Sequence, residues 1–104
     1  MKELKAILLG DAMIPHPGFV KAFDKHLSKF GSVVKYGDFE DNWDKLQYRR
    51  LEVEKNGPDV EKPDPIIVEY GKDANILMGL FVPVSAEVMD AMPNLRIEIG
   101  RAHV

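Results

Sequence analysis

The residue types most able to do chemistry are thinly spread along this chain. Arg101 and His103 stand near its end, in "NLRIEIGRAHV", and His16, His26 and Asp11 stand near its start. Arginine binds carboxylates and histidine moves protons, so the closing stretch invites a catalytic reading. His16 and His26 lack the spacing and the acidic company of a metal site, and surface or capping roles are expected for both. Asp11 directly follows an apolar run. A phosphoacceptor there would need further acidic residues beside it and a lysine after a late strand. "GLFVPVS" brings no such charge, so the expected role of Asp11 is to tie its own loop backbone. Trp43, Tyr48, Arg49 and Arg50 have the types used to stack and clamp nucleic acid. The same stretch carries Asp41, Asp44, Glu52 and Glu54, which would repel phosphate. A solvated helix with i,i+4 pairs such as Asp41–Lys45 accounts for it better.

These residues are positioned by elements legible in the pattern. "LKAILLGD" (4–11) reads as a strand buried on both faces, as in a parallel sheet. In the next stretch Pro17 suits a first helical turn. Val20, Phe23, Leu27 and Phe30 recur at helical spacing, and Gly31 suits the residue past the helix end. "SVVKYGDF" (32–39) is a second strand. "DNWDKLQYRRLEVEKNGP" is a polar helix capped by Asp41 and stopped at Asn56-Gly57-Pro58. After a proline-rich connection, Asp64-Pro65 and Gly71 frame a short helix. "NILMGLFV" (75–82) is a strand. Ser85 caps a helix that turns Val88, Met89 and Met92 inward and stops at Pro93, and "NLRI" begins a last strand. The order β-α-β-α-(α)-β-α-β implies a three-layer α/β domain, with the first strand near the centre beside those at 33–36 and 75–80. Ligands of such sheets gather at the carboxyl ends of the strands. Two loops fall there: Gly10-Asp11-Ala12-Met13, and Leu80-Phe81-Val82-Pro83. Gly79 would admit close backbone approach, and the second loop could offer N–H groups to a carboxylate.

Composition bounds the partners. The chain has 104 residues, 45% of them hydrophobic, a net charge of -3 and no cysteine. That is the profile of one small globular domain without disulfides or a thiol nucleophile. The mild acidity gives no reason to expect nucleic acid or an anionic membrane surface. The apolar run after Lys5 is too short for a signal core or a membrane span, and a cytoplasmic location is expected. No G-x-G-x-x-G and no G-K-[ST] occurs, so no nucleotide-binding fingerprint is present.

Residues 73–97, "DANILMGLFVPVSAEVMDAMPNLRI", resemble the N-terminal domain of D-isomer-specific 2-hydroxyacid dehydrogenases of the phosphoglycerate dehydrogenase-like group. The likeness rests on Asp73-Ala74, Gly79-Leu80, the "VSAEV" of 84–88 and the "PNLRI" of 93–97. The opening "KAILLGD" also fits. The resemblance implies an incomplete flavodoxin-like domain with a parallel sheet of about four strands, belonging to a two-domain NAD-dependent enzyme that usually dimerises. It implies substrate contact through Gly79, Leu80, Phe81 and Val82. Many relatives carry a polar residue where this chain has Phe81 and Val82. The family's catalytic His, Glu and Arg lie in the NAD domain or beyond the join and have no counterpart here, nor does the NAD site.

The family strand departs from this chain at residue 98. Ile99 to Val104 can be encoded by ATC GGA AGA GCA CAC GTC, the start of a common short-read adapter, whose preceding AG would complete a GAG codon for Glu98. The expectation is therefore a substrate-binding domain over residues 1–97, truncated and prone to aggregate, with residues 98–104 as adapter read-through. The expected activity is oxidation of the CH–OH group of a D-2-hydroxy acid, with this chain alone inactive. The other reading is a stand-alone flavodoxin-like module that binds a small anion or regulates.

Overall fold

A computed structural model describes residues 3–79 and 85–99. The elements are β1 (Leu4–Asp11), α1 (His16–His26), β2 (Gly31–Glu40), α2 (Trp43–Asn56), α3 (Pro65–Tyr70), β3 (Ile76–Gly79), α4 (Ala86–Ala91) and β4 (Ile97–Ile99). Single 3-10 turns at Pro58–Val60 and Gly71–Asp73 bracket α3. The strands form one parallel sheet in the order β2-β1-β3-β4. This α/β architecture follows the flavodoxin-like order, in which β1 lies inside and the order reverses between β1 and β3. No helix among the described residues is long and apolar enough to cross a membrane.

The two-residue period of a strand sorts the core into two layers. Ala6 and Leu8 of β1 join Ile76 and Met78 of β3 under Phe23 of α1. Ile7, Leu9 and Leu77 point to the other face, where Leu46 of α2, Ile67 of α3 and Val88 of α4 cover them with Met92. Residues 6–9 of β1 are fully buried, which is why they read as a continuous apolar run. The short helix at 65–70 is present as expected, with Asp64 as its cap: Oδ1 accepts from the Ile66 N–H at 2.9 Å.

Several local expectations are corrected. Gly31 does not end α1, which stops at His26. It opens β2 against Leu4, where a Cβ would stand 1.7 Å from the Leu4 carbonyl oxygen. A close crossing, not a helix cap, requires glycine there. Phe30 therefore lies beyond the helix, and it is exposed. Asn42, not Asp41, caps α2, its Oδ1 accepting from the Lys45 N–H at 2.9 Å. The i,i+4 ion pair on that helix is Arg50–Glu54 at 3.9 Å. Met89 faces outward on α4, while Val88 and Met92 are buried. The last strand starts at Ile97 and runs on through Glu98 and Ile99, paired with Ile76, Leu77 and Met78. Residues 100–104, with Arg101 and His103, lie outside the described residues.

Candidate functional site at the carboxyl edge of the sheet

β1 leaves the sheet at Asp11, and the chain turns back at once into α1. Asp11 makes that turn. Its Oδ1 accepts from the N–H groups of Met13 (2.8 Å) and Ile14 (3.0 Å), and its own N–H donates to the Ile14 carbonyl at 2.9 Å. This is the loop-tying role expected of an Asp after a strand. The carboxylate is 1% exposed, and its Oδ2 is buried without a hydrogen-bond partner.

Pro15 precedes α1 in extended backbone and provides no side-chain cap. The cap comes from another strand. Asp38 of β2 stands in register with Gly10, and its Oδ1 accepts from the His16 backbone N–H at 2.9 Å. Its Oδ2 lies 3.0 Å from His16 Nδ1. A carboxylate only accepts, so Nδ1 carries the proton in this pair. The imidazole stacks on Tyr36, ring centroids 5.1 Å apart. Gly10 makes the approach possible: a Cβ there would lie 2.2 Å from the His16 nitrogen and 2.7 Å from Asp38 Oδ1. Gly10, Tyr36 and Asp38 together fix one histidine ring.

The second loop begins where β3 ends. Gly79 is buried and pairs with Leu9 of β1, on the line where the sheet order reverses. Leu80, Phe81 and Val82 lie outside the described residues. The chain resumes at Ser85, 2% exposed, whose Oγ accepts from the Val88 N–H at 3.2 Å and caps α4 as its position suggested. Asp59 Oδ1 reaches the neighbouring Ala86 N–H at 3.4 Å.

Arg49 braces the same edge from α2. Its guanidinium forks onto Glu61 (Nε to Oε2 3.0 Å, Nη2 to Oε1 2.5 Å) and donates through Nη1 to the Phe39 carbonyl at 3.1 Å and to Glu40 at 3.3 Å. It also lies 3.8 Å over the Phe39 ring. The Glu61 hydrogen bonds, with the charges of Glu61 and Glu40, outweigh desolvation and hold the guanidinium further into its charged form. A bidentate, aromatic-stacked arginine suits a structural clamp, not a nucleic-acid contact. Asp64 shows the reverse balance. Burial raises its carboxyl above the ordinary value, against the Ile66 N–H and the Arg49 charge.

His26 sits exposed in the last turn of α1, where a basic side chain suits the helix carboxyl end. No group of three or more His, Cys, Asp or Glu among the described residues is arranged to hold a metal ion. A cavity of about 610 Å³ opens at the opposite, amino edge, lined in part by Glu3, Lys5, Lys72, Asp73 and Arg96. Charges of both signs line it, and its amides serve the fold. Asn75 Oδ1 accepts from the Lys5 N–H at 2.8 Å, and Asn75 Nδ2 donates to the Glu3 carbonyl at 3.0 Å. The carboxyl edge is the better functional candidate, because strand ends and helix starts converge there.

The loop-tying role of Asp11 and the cap by Ser85 were legible in the sequence. Asp38 and Tyr36 carried no motif, and the reading of His16 as a surface or capping residue named neither as its partner. The available signal was positional: in parallel strands, a polar residue near the end of the second strand stands beside the end of the first. The fold thus defines a flavodoxin-like α/β domain. Neither a family model, nor a curated protein, nor a solved structure matches the chain.

Proposed function

We propose that the chain is the substrate-binding domain of an NAD(P)-dependent oxidoreductase acting on the CH–OH group of a D-2-hydroxy acid. The observation that carries this reading is the place of Gly79. By resemblance it opens the substrate loop, and it closes β3 beside β1 where the sheet order reverses, followed by the Ser85-capped α4. A loop at that place can turn successive backbone N–H groups toward a carboxylate. By the same resemblance Leu80, Phe81 and Val82 would contribute to substrate contact in this reading.

The described residues do not fit the cofactor. A dinucleotide pyrophosphate needs a glycine-rich turn and an open helix N-terminus after the first strand. Here a single glycine, Gly10, precedes the turn, and the Asp38 carboxylate already fills the start of α1. No reaction step is assigned to NAD on this chain. Its part is to receive and orient the acid, and hydride transfer belongs to a second domain. The full enzyme acts as a cytoplasmic homodimer in this reading.

The test is a binding measurement paired with an activity measurement. Ligand-detected NMR with 2-oxobutyrate should show saturable binding, and the chain with NAD and 2-hydroxybutyrate should show no turnover. Robust NAD reduction by the chain alone, or no binding of any 2-oxo acid, would contradict the proposal.

A further inference from the structure

In doubly wound domains a ligand's phosphate lies on the N-terminus of the helix that follows the first strand. Here that helix is α1, and its start is already taken. Asp38 Oδ1 accepts the His16 backbone N–H at 2.9 Å, and Asp38 Oδ2 takes the imidazole Nδ1 of the same residue at 3.0 Å. The next position, Pro17, has no N–H to give. The Gly18 N–H turns back to the Pro15 carbonyl at 3.1 Å. The first-turn donors at 16 and 18 are thus spent inside the chain.

The arrangement is built rather than incidental. Asp38 faces Gly10 across the β1–β2 register, and any Cβ at position 10 would strike both His16 N and Asp38 Oδ1. A second carboxylate stands at the same strand exit. Asp11 is almost wholly buried, and its Oδ2 has no hydrogen-bond partner to offset its charge. An incoming phosphate would meet two carboxylates and no free N–H at positions 16 to 18. Like charges at short range in a partly desolvated edge repel strongly.

We infer that Asp38 is an internal substitute for a bound phosphate at α1, so that the ligand of the carboxyl edge carries no phosphoryl group there. This rests on the proposed function in one respect: it narrows the acid to an unphosphorylated 2-hydroxy or 2-oxo acid.

The experiment is an amide-resolved NMR titration with inorganic phosphate of the wild type, Asp38→Ala and Asp38→Asn. In the wild type the His16 and Gly18 amides should not saturate. Asp38→Ala frees the His16 N–H alone and should bind phosphate at that amide at least about tenfold more tightly, with Asp38→Asn between the two. Asp38→Asn keeps the oxygen acceptor for the His16 N–H, so the comparison survives if Asp38→Ala does not fold. Saturable phosphate binding at His16 in the wild type, or equal affinity in wild type and variants, overturns the inference. A second arm compares 2-oxobutyrate with 3-phosphohydroxypyruvate on the wild type. The phosphorylated acid should bind at least about tenfold more weakly. If it binds as tightly, this inference falls and the proposed function stands. If neither acid binds, the proposed function falls, and the phosphate comparison still decides the inference.

Discussion

Asp38 serves two acceptor roles with one carboxylate, and both fall on His16. Removing it would free a helix N–H and an imidazole together, and Gly10 is the residue that lets it work. A methyl at position 10 must displace backbone, since the nearest atoms are the His16 nitrogen at 2.2 Å and the Pro15 carbonyl carbon at 2.6 Å. Gly10→Ala is therefore expected to destabilise the domain by roughly 1–3 kcal/mol, in the range of overpacked buried sites. Urea unfolding of wild type and variant would measure it, and a loss under about 0.5 kcal/mol would mean that the turn yields easily. Asp64 offers a test by pH. Burial lifts its carboxyl above 3.8, so the folded state binds that proton more tightly than the unfolded chain. The stability this contributes is full below the unfolded value and is lost as pH rises through the folded one. Asp64→Asn keeps the oxygen that caps Ile66 and cannot ionise. Relative to wild type it should gain stability as pH rises from about 3 to about 7. A relative loss over that range would show that the charged cap is a net benefit.

At the scale of elements, what was legible was local. β1 announced itself because a central parallel strand is apolar on both faces. The end of α2 was clear because Gly57, at φ 87°, takes a backbone conformation that suits glycine. Ser85 followed the same logic, since a cap acts within its own helical turn. What was not legible was long-range. Gly31 looked like a helix stop, because the carbonyl of Leu4 that it must pass lies far back in the chain. Asp38 looked like any polar strand residue, since its partner belongs to another β-α turn. Met89 matched the helical spacing, yet α4 is only six residues long and buries one narrow stripe. Asn42 took the cap expected of Asp41 because the helix begins one residue later than the acidic run suggested.

At the scale of the molecule, the described residues form one sheet with two apolar layers and a carboxyl edge that carries the candidate site. The two halves of that edge differ. The β1–β2 half holds Asp11, Asp38 and a fixed imidazole, with its helix start already filled. The β3 half holds Gly79, with Ser85 at the start of α4. The proposed function places the acid's carboxylate at the second half and leaves no phosphate position at the first. The most direct measurement is an amide-resolved NMR titration of the chain with 2-oxobutyrate. The account predicts saturable shifts centred on Gly79 and Ser85, with the amino-edge residues Lys5, Lys72 and Arg96 unmoved. Shifts confined to the amino edge, with Gly79 unmoved at saturation, would contradict it.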